Sequence, residues 1–357
     1  MSFIPSIRTA LWSTGDEIRL TEQEVALHMR QGTATLVFPY ATPMTTQMKA
    51  VCVQNMQQQV KLQHTLELAW SALTNAGIRP VLMKGAGLAA LYPEPQMRSW
   101  GDIDLFVGKE QYHAACAVMR DTFPKALKFD EELDHYKHYN LIVDGISIEI
   151  HRVTVSLSHP LDARRYARME AYGMSHAIPL TLSSLHPFTV TIPEPTFNAL
   201  FVFLHAWEHM LTQGANIRQL CDLALLLHHY ADELDRKRLV RWLKALRLYD
   251  VWCVVMSIVV ETLGLSPQEA PGYNEARSDR ADRLLNDLLE GRLVAPKTEH
   301  QSSTSENRFV RKWHTMQERL ANAKRIEKYS PAYARHMAVA ILLSGSARLF
   351  AKDRHWE

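Results

Sequence analysis

Seven residues, Gly101 to Val107, constrain this chain more than any other stretch. In Gly101-Asp102-Ile103-Asp104-Leu105-Phe106-Val107 polar and apolar side chains alternate and then turn apolar, which predicts a strand with one wet face and one buried face. Residues two apart on a strand share a face, so the carboxylates of Asp102 and Asp104 are expected side by side. Two like charges so placed are costly without a cation, and the pair predicts a bound divalent ion. A plain strand entry with an exposed face is the other reading of that tetrapeptide taken alone.

The flanking segments narrow the choice. Upstream, Ile78 to Met83 is a short apolar run ending at Lys84-Gly85, which predicts a strand, a turn and a helix over Gly85 to Leu91 closed by Tyr92-Pro93. Glycines at 85 and 87 let backbone N–H groups of Lys84, Gly85 and Ala86 approach a phosphate at a helix start. Downstream, Gln111 to Asp121 reads as a helix. Tyr139 to Val143 and Ile146 to Ile150 are split by Asp144-Gly145, a strong hairpin signal. Glu149 lies between Ile148 and Ile150 and so faces away from the core, as a third carboxylate of the oxygen-rich set that magnesium prefers. His151 shares the face of Glu149, either to orient it and touch a substrate or as an ordinary strand histidine.

The rest of the chain reads as mostly helical. Five segments are expected: an N-terminal helical segment packing on the core (1–76), a catalytic core (77–193, with a strand over Pro187 to Ile192), a helical bundle (194–265), an irregular linker (266–307) and basic C-terminal helices (308–357). The linker reading rests on Pro267, Pro271 and a Gln-Ser-Ser-Thr-Ser run. In the helical part His205 and His209 have the spacing of paired zinc ligands, but no third ligand accompanies them. Arg218 and Asp222, four apart, either form an intrahelical ion pair or face a substrate.

Charge and cysteine usage exclude several classes. Forty basic against thirty-eight acidic residues give a net charge of +2, too little for a surface built to attract nucleic-acid phosphates. From Arg308 onward Lys and Arg outnumber the acids, which fits a solvated helix face or the steering of an anion. Four scattered cysteines argue against a disulfide framework and fit a reducing cytoplasm. No apolar run reaches the roughly 18 residues of a membrane span, and the first residues do not read as a secretion signal, so no membrane partner is expected.

Val81-Leu82-Met83-Lys84-Gly85, Tyr92-Pro93, Arg98, Gly101-Asp102-Ile103-Asp104-Leu105 and Ile148-Glu149-Ile150-His151 together resemble a known group. It is the uncharacterised bacterial nucleotidyltransferase family of the DNA polymerase β superfamily, and the likeness extends to about residue 265. The resemblance implies an α+β fold: a small mixed sheet flanked by helices, with a C-terminal helical bundle and an N-terminal helical extension. It also implies an NTP donor and a two-metal site of Asp102, Asp104 and Glu149 holding two Mg2+, with Mn2+ as the substitute. In that family a His-rich helix and an Arg-x-x-x-Asp element follow the core, matched here by His205, Arg218 and Asp222. The superfamily turn is usually Gly-Ser or Gly-Gly and lies nearer the acidic pair, whereas Ala86 follows Gly85 here.

The expected activity is transfer of a nucleotidyl group, AMP from ATP, to a hydroxyl of a small molecule or protein. Lys84 and Arg98 are expected to donate to the triphosphate, unless each is a cation paired with a local carboxylate. A catalytically silent module that binds a nucleotide or partner is the alternative, and an RNA-modifying enzyme the third reading.

Overall fold

The computed structural model describes residues 2–128, 137–157, 159–182, 187–212, 214–293, 316, 317, 320, 321 and 323–350. The alternation read in Gly101–Val107 becomes strand β2 (Asp102–Phe106), whose Ile103 and Leu105 are fully buried. It lies in a five-stranded mixed sheet with β1 (Val81–Met83), β3 (Leu127–Lys128), β4 (His138–Val143) and β5 (Ile146–His151), in the order β1-β2-β5-β4-β3. β2 and β5 are parallel, and the other pairs are antiparallel.

Register does most of the positioning. Asp104 pairs with Glu149 across β2 and β5, and Glu149 with Asn140 across β5 and β4. Paired residues present their side chains to the same face, so the polar residues of three strands gather on one side. The apolar set of Ile103, Leu105, Tyr139, Leu141, Ile148 and Ile150 fills the other. The hairpin turn supports this register, because Asp144 and Gly145 both take positive φ (48° and 82°), as a two-residue turn matched to strand twist requires.

Helices cover the sheet. The N-terminal part holds α1 (Phe3–Trp12), α2 (Glu22–Arg30), a single turn α3 (Ala34–Val37) and the 30-residue α4 (Thr46–Asn75). α4 pins the segment leading into β2: Asn55 Nδ2 donates to the Gln96 carbonyl (2.8 Å) and Gln59 Nε2 to that of Trp100 (3.3 Å). A short α5 (Gly85–Ala89) follows β1, and α6 (Gly108–Thr122) follows β2. After β5 come α7 (Pro160–Ser175) and a separate two-stranded sheet of β6 (Ile178–Leu182) and β7 (Phe188–Ile192). The chain continues in α8 (Pro195–Thr212), α9 (Arg218–His229), α10 (Arg236–Ala245) and α11 (Tyr249–Ser257), the last running into a π-helical turn at Ile258–Thr262. One apolar cluster runs without a break from Phe3 through Ile103 and Leu225 to Tyr329, so the sheet and the helical part share a core.

The stretch 266–307, expected to be irregular, carries a helix, α12 (Ser278–Leu289). Ala281, Leu284 and Leu288 recur at helical spacing and are buried, while Pro267 and Pro271 are confined to the short turns before it. Residues 294–307 of that stretch lie outside the described residues. Of the basic C-terminal segment 308–357, helix α13 (Pro331–Phe350) is described, and His336 Nε2 ties it to Asp162 of α7 (2.5 Å), whereas 308–315 and 351–357 lie outside the described residues. Among the described residues no helix is long and apolar enough to cross a membrane.

α1 and α2 meet through His28, which is fully buried between Ser6 Oγ (3.0 Å) and Thr33 Oγ1 (2.9 Å). The Ser6 hydroxyl donates to the Phe3 carbonyl, so it accepts from His28 Nε2–H, and Nδ1 is left to accept from Thr33. Burial lowers the His28 pKa to about 4, against the opposing pull of Glu24. The unfolded chain takes up this proton near pH 6.5 and the folded one only near pH 4. Stability from this histidine is therefore complete above about pH 6.5 and is lost as the pH falls toward 4, by about 3 kcal/mol. Urea midpoints of the protein and of His28→Gln measured from pH 7 to 4 are expected to converge on acidification.

Candidate active site

The turn after β1 has an unusual backbone. Lys84 takes φ 52° and ψ −139°, a region that side-chain-bearing residues avoid at a cost of roughly 1–3 kcal/mol. Gly85 follows at φ 40°, and a Cβ there would lie 3.3 Å from the Trp100 ring and 3.4 Å from the Asp102 carbonyl oxygen. The turn thus folds tightly onto the start of β2. The strained conformation accompanies a direct contact, with Lys84 Nζ 2.9 Å from Asp104 Oδ1.

Asp104 is the deepest acid of the site, 1% exposed. Its Oδ1 accepts from Lys84 and lies 3.0 Å from His151 Nε2, while Oδ2 is buried with no partner among the described residues. His151 Nε2 is also 3.0 Å from Glu149 Oε2, and His138 Nδ1 stands 3.8 Å from that same oxygen. Asp102, half-buried, belongs to the same electrostatic group.

The titration behaviour follows from this packing. Burial pushes the Asp104 carboxyl up, but the Lys84 ammonium and the His151 hydrogen bond together outweigh it and hold Asp104 well below the usual carboxylate range. Glu149 is lowered in the same way, burial being overcome chiefly by the bond from His151. Asp102 moves oppositely: the neighbouring charge of Asp104 and then burial raise its pKa, with Lys84 only partly compensating. Burial lowers and the two carboxylates raise His151, with a net rise. The group thus holds more negative charge than its own cations neutralise at Asp102. With the orphaned Asp104 Oδ2, this is the chemistry that a divalent cation fits. Among the described residues, His138, Glu149 and His151 form a group able to hold a metal ion.

These residues line a cleft of about 380 Å³, within the roughly 300–1,000 Å³ range of small-molecule sites. α8 and α9 supply its opposite wall through His205, His209, Arg218 and Asp222. Burial, reinforced by Lys84, lowers the pKa of both histidines, that of His205 strongly, so both imidazoles are neutral near pH 7. Their rings meet edge to face at 4.4 Å. Neither belongs to the metal-capable group among the described residues.

Arg98 and Arg218 have different partners from those expected. Arg98, on the cleft lining, grips Asp222 of α9, Nε to Oδ1 at 3.0 Å and Nη2 to Oδ2 at 2.6 Å, with Tyr92 Oη donating to Oδ1 (2.8 Å). The intrahelical pair between Arg218 and Asp222 is therefore absent. Arg218 reaches instead to Ser99, its Nη1 donating to the carbonyl and hydroxyl oxygens, and its Nε is buried with no partner among the described residues. Burial, and then the charge of Arg98, lower the Arg218 pKa.

The fold brings Lys84, Gly85, Arg98, Asp102, Glu149, His151, His205, Arg218 and Asp222 to one cleft, with Asp104 beneath it. Ala86 is buried in the first turn of α5 and faces a different groove, lined also by Met56, Val60 and Trp100. Sequence reasoning missed Lys137, His138, Thr154 and Gln219, which also line the cleft. For His138 a signal exists: counting outward from the Asp144-Gly145 turn sets it opposite His151. No curated protein and no solved structure matches the chain. A family model described as an uncharacterised nucleotidyltransferase matches residues 21–264, well over half the chain and all of the strands and helices that line the cleft. With acids on paired strands, a lysine turn and a helical wall lying inside that match, the chain belongs to the uncharacterised nucleotidyltransferase family.

Proposed function

We propose that the cleft transfers AMP from ATP to a hydroxyl of a small molecule or protein, with Mg2+ held by Asp102, Asp104 and Glu149. On this reading residues 77–193 form a polymerase β-like catalytic core, 194–265 a helical bundle that forms the far wall, and 1–76 an extension that steadies the approach to β2. The observation that carries it is the convergence of Asp102, Asp104 and Glu149 from two parallel strands beside Lys84, with an unneutralised charge at Asp102. A silent relative gains nothing from holding three mutually repelling carboxylates together.

Bound at these oxygens, Mg2+ would neutralise triphosphate charge and favour the ionised acceptor hydroxyl. The chain's own groups do the rest. Lys84, held by its turn on the rim of the acids, places a fixed positive charge where the triphosphate approaches. Arg218, which lines the same cleft, adds a second. His205 and His209, kept neutral by burial, orient the acceptor hydroxyl. The acceptor oxygen then gives up its proton to solvent and forms its bond to the α-phosphorus, the bond from that phosphorus to the β-phosphate bridge breaks, and pyrophosphate leaves.

The test uses the purified chain, Mg2+ and a cell extract, with ATP labelled either on the α- or on the γ-phosphate. Label is expected on an acceptor from the α position and not from the γ position. Binding of ATP with no label transferred from either position would replace this reading by a nucleotide-binding module, and γ-label on the acceptor would make the protein a kinase instead.

A further inference from the structure

Strand pairing brings a second imidazole to Glu149, beside the one two residues along its own strand. β4 runs antiparallel to β5, so His138 lies opposite His151, and their ring centroids are 5.0 Å apart. Around Glu149 Oε2, His151 Nε2 lies at 3.0 Å and His138 Nδ1 at 3.8 Å. Asp104 Oδ1 is 3.0 Å from the same His151 nitrogen. The one His151 nitrogen is thus shared between two carboxylates. Asp104, almost wholly buried, keeps its second oxygen without a partner among the described residues.

Ligand atoms that surround one ion at about 2.0–2.2 Å are themselves about 3.0–3.5 Å apart. The spacings of 3.0 and 3.8 Å around Glu149 Oε2 therefore need only small adjustments to enclose an ion. Ligand atoms of His138, Glu149 and His151 all lie within 4.8 Å of one another. The donor set also bears on the choice of ion. Mg2+ takes oxygen ligands in near-ideal octahedra and gives up water reluctantly, whereas imidazole suits the later first-row metals and carboxylates suit manganese.

We infer that His138, His151 and Glu149 form a mixed nitrogen and oxygen site for a transition ion such as Zn2+ or Mn2+, beside an oxygen-only position at Asp102 and Asp104 that takes Mg2+. This deepens the transferase reading by naming the class of one of its ions, and it rests on that reading only for the role of the second position.

The test needs no turnover. Mn2+ bound to the metal-stripped full-length protein is expected to show, by electron spin echo, modulation from directly ligated imidazole nitrogen, and Co2+ to give a visible ligand-field band with one equivalent. His138→Ala and His138→Gln are expected to weaken Co2+ binding at least about tenfold while Mg2+ binding changes by less than about twofold. Melting curves show whether each variant is folded. A Mn2+ spectrum without nitrogen modulation in the unmodified protein, or Co2+ binding unchanged in a folded His138 variant, overturns the inference. Transfer of α-label with Mg2+ and no nitrogen modulation would defeat this inference alone, and nitrogen modulation in a protein that transfers nothing would defeat only the transferase reading.

Discussion

Asp104→Asn is expected to lower kcat/KM for nucleotidyl transfer by about 10³-fold or more, the scale of losing a preorganised charge at a transition state. The same change leaves Lys84 buried beside a neutral amide, so the protein should also melt at a lower temperature. Asp102→Asn is the sharper test, because its two effects have opposite signs. Asp102 is pushed up first by the charge of Asp104, so replacing it relieves a repulsion in the metal-free fold. Transfer should fall as far as with Asp104→Asn, while the metal-free Tm rises by about 1–3 °C. The gain should shrink as the pH falls through the raised Asp102 pKa, because residue 102 is then uncharged in both proteins. Added Mg2+ should raise the Tm of the unmodified protein and not that of the variant. Equal melting temperatures without metal would show that the two carboxylates do not repel as the structure requires.

Arg98→Met should unfold the protein more readily than any change on the cleft rim. Arg98 and Asp222 are 5% and 3% exposed and share a two-point bond that joins the approach to β2 with α9. Removing one member of such a pair strands the other charge in a dry interior, at about 3–5 kcal/mol. Replacing both, as Arg98→Met with Asp222→Leu, should restore part of that loss, although Tyr92 then loses its acceptor. Denaturant midpoints of the two single variants and the double variant measure the coupling. If Arg98→Met keeps full stability and instead raises KM for ATP, Arg98 acts on the triphosphate and the buried pair is not its main role.

The regular elements nearest the acids were legible because their patterns are local. Alternation in Gly101–Val107, the Asp144-Gly145 turn and the glycine corner at Lys84-Gly85 each commit the backbone through side chains a few residues apart. Of the elements not read from the sequence, two were hidden for equally physical reasons. β6 contains Pro179, which has no N–H to give a ladder, yet it pairs with β7 as half of a two-stranded sheet. α12 follows a proline-rich, polar stretch that masks its apolar stripe of Ala281, Leu284 and Leu288, flanked by Leu285 and Leu289.

Taken alone, the amino-acid order determined which residues alternate, where the chain turns and which acids share a strand face, because these depend on periods of two and 3.6 residues. It also carried the family likeness that the match over residues 21–264 establishes. Tertiary structure alone decided which partner each charge takes. Asp222 lies four residues from Arg218, the spacing of a helix-surface pair, and yet binds Arg98, 124 residues away, because the buried bidentate geometry exists only once α9 packs against the approach to β2. His138 likewise reaches Glu149 only through strand register, and Lys84 reaches Asp104 only because β1 pairs with β2. Contacts between distant segments depend on how faces pack, and packing is a property of the assembled chain.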